Sequence, residues 1–270
     1  MSEEFAIESG IPQGSLIGPK VFNLYIDDMP RHVGVETAVY ADDRIYYTSS
    51  KDSNKIVREL NKQLDLTHEW CTKWRIKINA DKSEAIIFTR GLKGDDVDPP
   101  KYNNVPIDWK RSVKYLGVTL DRELNFCKHI TNKRNQTYGV ISKLMPILKC
   151  HSALGIKNGL LIYKMLIRPV FTYAPAIWGN ASDYRLNKLQ VIQNKILKII
   201  TNAPMYTRLS KIHEDLNIET VREYTIKLTK NFYEKSKNSK YQTISNIGSY
   251  DYQGTNKYKM PKDFILGQIN

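Results

Sequence analysis

The chain has 270 residues and a mass of 31.3 kDa, enough to bury a sizeable core in one or two domains. No apolar run approaches the ~20 residues that cross a bilayer, and the acidic start Met1-Ser2-Glu3-Glu4-Phe5 lacks the regions of a secretory signal, so the expectation is an intracellular protein, nuclear or cytoplasmic, without a membrane partner. The formal charge of +13 is unevenly spread: residues 1–100 hold 13 Lys and Arg against 17 Asp and Glu, while residues 101–270 hold 28 against 11, an acidic part followed by a basic part suited to nucleic acid.

Residues 6–15 read as an extended segment and a glycine turn, with Gly10 and Gly14 bracketing Pro12-Gln13. Pro19 suits the first turn of a helix whose apolar residues recur at Val21, Phe22, Leu24, Tyr25, Ile26 and Met29, with Pro30 as its stop. Glu36-Thr37-Ala38-Val39-Tyr40 and Ile45-Tyr46-Tyr47-Thr48 read as paired strands, rich in β-branched and aromatic residues, around a tight turn at Ala41-Asp42-Asp43. Neighbouring carboxylates repel one another unless a cation sits between them or they face water. A hard divalent ion takes one or two such carboxylates and leaves its other positions to phosphates. An exposed turn without a ligand is the plainer alternative.

Lys51 to Trp74 reads as one amphipathic helix, capped by Asp52 or Ser53, with Ile56, Leu60, Leu64, Thr67, Trp70 and Trp74 as its buried stripe. Arg75–Ile78 and Glu84–Phe88 read as strands around Asn79-Ala80-Asp81-Lys82-Ser83, with Asn79 fixing the turn. Residues 91–100 are a polar loop, and short strands resume at Val105–Ile107 and Val113–Leu120. After Asp121 the period turns helical. One helix carries Ile130, Arg134, Thr137, Ile141, Leu144, Met145 and Leu148. A second runs from Ile156 to Ile167 and breaks near Pro169. A third carries Leu186, Leu189, Ile192, Ile196 and Ile199, with Arg185, Lys188, Lys195 and Lys198 on its other faces. Shorter helices follow near Ser210–Leu216 and Thr220–Lys237, then a polar tail of disorder-prone composition. Cys71, Cys127 and Cys150 are odd in number and form no paired motif, which speaks against a disulfide framework or a zinc ribbon. Cys127 with His129 and Cys150 with His151 fit no standard zinc spacing.

Several of these stretches form an ordered set: Gly10-Ile11-Pro12-Gln13-Gly14-Ser15, Gly18-Pro19, Phe22 to Asp28, Tyr40-Ala41-Asp42-Asp43, Asn79-Ala80-Asp81-Lys82-Ser83, Tyr115-Leu116-Gly117-Val118, and later Leu166-Ile167-Arg168-Pro169-Val170 and Tyr173-Ala174. The set resembles reverse transcriptases of non-LTR retrotransposons, the jockey-type group above all, over most of the chain to about residue 220. The resemblance implies an α+β fold: a partial polymerase palm, an antiparallel sheet with helices, over 1–121, then an all-α thumb-like domain over 122–238 and the tail over 239–270. It implies RNA-directed DNA synthesis on an RNA template and a DNA primer, with deoxynucleoside triphosphates and Mg²⁺ or Mn²⁺. By the same resemblance Asp42 and Asp43 hold the metal and, with Lys82 at the nucleotide phosphates, carry the chemistry. Gln13 and Gly14 meet the nucleotide, Ser15 supports their turn, and Tyr115, Leu116 and Gly117 grip the primer.

Two departures stand out. Arg44 occupies a position where the resembled family usually has a small or apolar residue, so it is expected either to pair with one of the aspartates or to point to solvent. The family's third metal-binding carboxylate lies on an earlier strand, and Glu3, Glu4 and Glu8 do not match it. Little or no activity is therefore expected of this chain alone, and the alternative reading is a nucleic-acid-binding remnant of a decayed element, without catalysis.

Overall fold

The computed structural model describes residues 14–89, 97–148 and 154–249. The chain divides into two compact units, Met1–Val113 and Lys114–Asn270. Among the described residues the strands form three separate two-stranded sheets. The expected mixture of helices and antiparallel strands is present, in small sheets: each strand has at most five residues and its neighbour is the next strand along the chain.

The first unit opens with α1 (Gly18–Ile26), where Pro19 sits in the first turn and its missing N–H removes no helical bond. The helix stops before Pro30, at Asp27, and none of its residues is buried. Its apolar period is real, yet Val21, Phe22 and Leu24 stay exposed. Tyr25 docks it: the phenol donates to the carbonyl of Trp74 at 3.0 Å, and the ring meets Trp70 and Trp74 edge-on. The strands β1 (Glu36–Tyr40) and β2 (Asp43–Tyr47) then pair antiparallel.

Helix α2 (Ser53–Lys73) is capped by Asp52, whose carboxylate accepts from the Asn54 N–H at 3.0 Å. Its buried residues are Val57, Gln63, Thr67, Trp70 and Cys71, a stripe turned about one residue from the expected one. Gln63 is the cause. It is fully buried and spans helix and loop: its carbonyl accepts from the His32 N–H at 2.6 Å, and its amide donates to the Pro30 carbonyl and to Thr67 Oγ1. His32 adds a contact of 2.6 Å to Glu59.

Arg75–Ile78 and Glu84–Phe88 form no hairpin. Arg75 turns left-handed, at φ 56°, and Asn79 accepts from the Lys82 N–H at 3.2 Å, closing a 3-10 turn over Ala80–Lys82. Ala85 instead bridges in parallel to Trp109, with its carbonyl taken by the Lys110 N–H at 2.7 Å. The small hairpin β3 (Lys101–Tyr102) and β4 (Val105–Pro106) turns on Asn103-Asn104, both left-handed.

In the second unit the turn between β5 (Ser112–Tyr115) and β6 (Val118–Asp121) leads into α3 (Cys127–Leu148). The Asp121 carboxylate accepts from the Asn125 and Phe126 N–H groups and so organises the entry to α3. Next come α4 (Ile156–Ile162), a π turn over Tyr163–Ile167, α5 (Arg168–Phe171) and α6 (Pro175–Trp178). The expected break at Pro169 is thus a widening. Proline offers no N–H to the carbonyl four residues back and its ring crowds it, and the wider turn relieves both. Helix α7 (Asp183–Thr201) runs through the core, with Leu189, Ile192, Ile196 and Leu197 fully buried. Helices α8 (Leu209–Leu216), α9 (Val221–Lys237) and α10 (Gln242–Ser245) follow, α9 starting on a capping box of Thr220 and Glu223.

Gln193 of α7 is buried and donates to the Tyr163 phenol at 2.9 Å and to the Glu219 carbonyl at 2.8 Å. Burial pushes the Tyr163 phenol pKa well up, which keeps it neutral. Arg168 lies 3.8 Å from the centre of the Tyr224 ring and 3.7 Å from Glu219. A hydrogen bond from Lys227 holds the Glu219 carboxyl below its usual range.

Replacing Gln63 with Leu leaves the His32 N–H and the Pro30 carbonyl without their partner. The expected cost is about 2 kcal/mol, read from urea unfolding followed by tryptophan fluorescence; a loss under about 0.5 kcal/mol would mean that water takes over both groups.

Candidate active site

In the register of β1 and β2, Tyr40 faces Asp43, so Ala41 and Asp42 alone make the connection. A two-residue connection that keeps the right-handed twist of its strands needs a left-handed residue. Ala41 supplies it at φ 54°, where glycine or asparagine would be at ease and alanine is strained by about 1 kcal/mol. Both carboxylates stand exposed at the tip, Asp42 in the turn and Asp43 as the first residue of β2.

Side chains alternate along a strand, so Arg44 leaves on the face opposite to Asp43. Its guanidinium donates to Met29 Sδ and to the Tyr46 phenol, the latter at 3.4 Å. It also lies 6.0 Å from the centre of the Tyr46 ring. Tyr46 is held in turn by Thr67 at 2.8 Å. Arg44 therefore neither pairs with an aspartate nor points to solvent, which corrects both expectations for it. Among the described residues no Lys, Arg or His forms an ion pair with Asp42 or Asp43.

Two adjacent hard-oxygen donors without a cationic partner fit one face of a divalent ion whose other positions go to water and phosphate. Among the described residues no three His, Cys, Asp or Glu side chains gather where they could hold a metal ion. Lys82 ends the 3-10 turn with its side chain exposed. Gly14 is left-handed at φ 85°, and Ser15 Oγ accepts from the Gly18 N–H at 3.0 Å, tying the turn to the start of α1. Gln13 lies outside the described residues. No hydrogen bond or ion pair among the described residues joins Asp42, Asp43, Ser15 and Lys82 to one another.

The stretch Tyr115-Leu116-Gly117 belongs to the second unit and makes the turn between β5 and β6. Leu116 and Gly117 are both left-handed, at φ 44° and 80°. A Cβ on Gly117 would sit 3.1 Å from Tyr173 Cε1, and the Tyr173 phenol donates to the Leu116 carbonyl at 3.0 Å. Tyr173 thus underpins this turn, a role that its place in the sequence did not announce. Beside it His129 is buried, with Nδ1 accepting from the Thr119 N–H at 3.1 Å. Burial first, and Lys133 second, push its pKa down to about 4. The face of α3 directed here carries Ile130, Lys133 and Thr137, whereas Arg134, expected on the buried stripe, is exposed.

Residues 1–120 match the family described as reverse transcriptase (RNA-dependent DNA polymerase). The chain is 30% identical over 270 residues to the probable RNA-directed DNA polymerase from transposon X-element of Drosophila melanogaster, across 98% of this chain and 30% of that protein. It is 33% identical over 237 residues to the RNA-directed DNA polymerase from mobile element jockey of Drosophila funebris, across 85% of this chain and 26% of the relative. The jockey protein of Drosophila melanogaster is 30% identical over the same shares. The chain thus spans less than a third of the length of these relatives. No solved structure matches it. Among the described residues no helix is long and apolar enough to cross a membrane.

Two outcomes are expected, one for the β1–β2 hairpin and one for the second unit. Ala41→Val places a β-branched residue at φ 54° and costs about 1–2 kcal/mol, seen in thermal unfolding and as lost hairpin amide protection; unchanged protection would refute the left-handed turn. For His129 the folded pKa lies below the unfolded one, so the unfolded chain takes up the proton first as pH falls. The stability due to neutral His129 is complete above about pH 6.5 and lost as pH falls to about 4, roughly 3 kcal/mol in all. His129→Gln should remove that step from the pH profile of the unfolding free energy.

Proposed function

We propose that the chain is the palm-and-thumb portion of a mobile-element RNA-directed DNA polymerase, acting on an RNA template, a DNA primer and deoxynucleoside triphosphates. The observation that carries this reading is the strained tip at Ala41, which holds Asp42 and Asp43 outward while Arg44 is drawn to Met29 and Tyr46. Asp42 and Asp43 would hold a divalent ion, Mg²⁺ or Mn²⁺, which when bound supplies positive charge to the triphosphate and to the attacking oxygen.

In the reaction the primer 3′-oxygen forms a bond to the α-phosphorus. The bond from that phosphorus to the bridging oxygen breaks, pyrophosphate leaves with the electron pair, and the hydroxyl proton passes to solvent. Lys82 would meet the charge that develops on the leaving phosphates. Gln13, Gly14 and Ser15 would lie against the nucleotide, where glycine permits close backbone approach. Tyr115, Leu116 and Gly117 would bear on the primer strand.

A second reading, nucleic-acid binding without catalysis, draws support from the basic second unit, where Lys133, Lys188 and Lys195 lie over Tyr173, Tyr184 and Tyr138. Two measurements separate the readings. Mn²⁺ is expected to broaden amide resonances of residues 40–47 in the wild type and not in the Asp42→Asn/Asp43→Asn variant; equal broadening in both would overturn the metal assignment. Primer extension on an RNA template is expected at or near background for the isolated chain, and extension abolished by Asp42→Ala would show full competence instead. Salt-dependent duplex binding unchanged by Asp43→Ala, together with no Mn²⁺ effect, is the mark of the second reading.

A further inference from the structure

Helices α3 and α7 pack against one another in the second unit and leave an open cleft of about 200 Å³ along their seam. Ile141, Met145 and Ile196 give it an apolar wall, and Tyr138, Ser142 and Lys195 bring polar groups to it. Ile141 and Ile196 are buried, so the floor of the cleft is the core itself, while Ser142 and Lys195 are exposed. A cavity of about 150 Å³ holds a benzene ring, so this one has room for a leucine or phenylalanine side chain.

The charge around the cleft has one sign. Arg134 and Lys195 stand over the Tyr138 ring, 5.8 Å and 5.7 Å from its centre. Neither forms an ion pair among the described residues. Helix α3 carries four lysines and arginines and no acid. Helix α7 carries four and a single acid, Asp183, which Arg222 engages. The backbone adds an acceptor. Pro146 lies inside α3 and has no N–H for the Ser142 carbonyl four residues earlier. The regular helical bond to that carbonyl is missing beside the apolar slot, at a residue that lines it.

We propose that this cleft binds an acidic polypeptide segment of a partner protein. A leucine or aromatic side chain of the segment enters the slot, carboxylates beside it meet Arg134 and Lys195, and an amide N–H donates to the Ser142 carbonyl. A polypeptide supplies all three groups at once. A phosphodiester strand supplies the charge, but its backbone has neither an apolar side chain nor an N–H. A fatty acid supplies charge and chain but no donor. The anchor in its slot sets how long the segment stays, and the exposed cations set how fast it arrives. This site is independent of the aspartate pair and of polymerase activity, so the Mn²⁺ and primer-extension results neither support nor oppose it.

The test is fluorescence anisotropy of the whole chain with a labelled peptide, Glu-Glu-Asp-Leu-Leu-Asp-Glu-Glu, near ~0.15 M salt. A dissociation constant of about 10–100 μM is expected, and the same peptide with serine in place of both leucines should bind at least about tenfold more weakly. Ser142→Phe fills the slot and Lys195→Glu reverses the charge; each should weaken the leucine peptide about tenfold. Lys230→Glu, on an exposed position of α9, should change it less than about twofold. Pro146→Ala restores the N–H to the Ser142 carbonyl; affinity should fall about threefold while the melting temperature rises, so the loss does not come from unfolding. Thermal unfolding checks that the other variants fold. No binding of the leucine peptide up to about 1 mM, equal binding of the leucine and serine peptides, or equal effects of Lys195→Glu and Lys230→Glu overturns the site. Unchanged affinity in Pro146→Ala overturns the bond to Ser142. An RNA–DNA duplex weakened by Ser142→Phe as much as the peptide overturns the assignment to a polypeptide.

Discussion

A two-residue hairpin loop that keeps the twist of its strands passes through left-handed backbone, and that constraint recurs through this structure. Ala41, Asn103-Asn104 and Leu116-Gly117 all meet it, each between adjacent short strands. At Asn103-Asn104 the residues suit the conformation. At Ala41 and Leu116 they do not, and the strain sits beside the two features with chemical potential, a pair of outward carboxylates and the turn that Tyr173 underpins. Strained backbone persists only where its surroundings over-determine it. Here the surroundings are identifiable: Arg44 and Tyr46 anchor β2 on Met29 and Thr67, and Tyr173 anchors Leu116.

The second organising theme is the buried amide. Gln63 and Gln193 each occupy a helix position where an aliphatic side chain would be ordinary, and each ties its helix to a loop or a neighbouring helix. Apolar packing sets which faces meet, while a fully bonded amide sets the register in which they meet, because its donors and acceptors tolerate little displacement in a low-dielectric interior. The same logic explains Arg168, which lies against the Tyr224 ring while Glu219 sits within ion-pair distance.

The long helices were legible in the sequence because each is amphipathic over many turns, and Asp52 marked the start of α2. The Tyr40–Asp43 hairpin was legible from its alternation and its carboxylates. What lay beyond reach follows from physics that pattern does not carry. The stripe of α2 is turned because Gln63 is buried for its hydrogen bonds rather than for its hydropathy. Arg75–Ile78 and Glu84–Phe88 have the composition of strands, and Asn79 does fix the turn between them by accepting from the Lys82 N–H, but Ala85 bridges to Trp109 instead. Beside the Leu116-Gly117 turn the step from Ile130 to Thr137 passes through Lys133 as readily as through Arg134, and only the position of Tyr173, forty residues downstream, selects the first.

The π turn over Tyr163–Ile167 carries a consequence for how the sequence can change. Such a turn is an α-helix that has taken in one surplus residue. Loss of a residue from most helices spins everything downstream by about 100° and ruins the packing. Loss of one residue here would yield a more regular helix. The side chains that the turn carries between its buried ends, Lys164, Met165 and Leu166, are exposed, so a change of side chain there disturbs little packing, whereas a change of length acts on the helix itself.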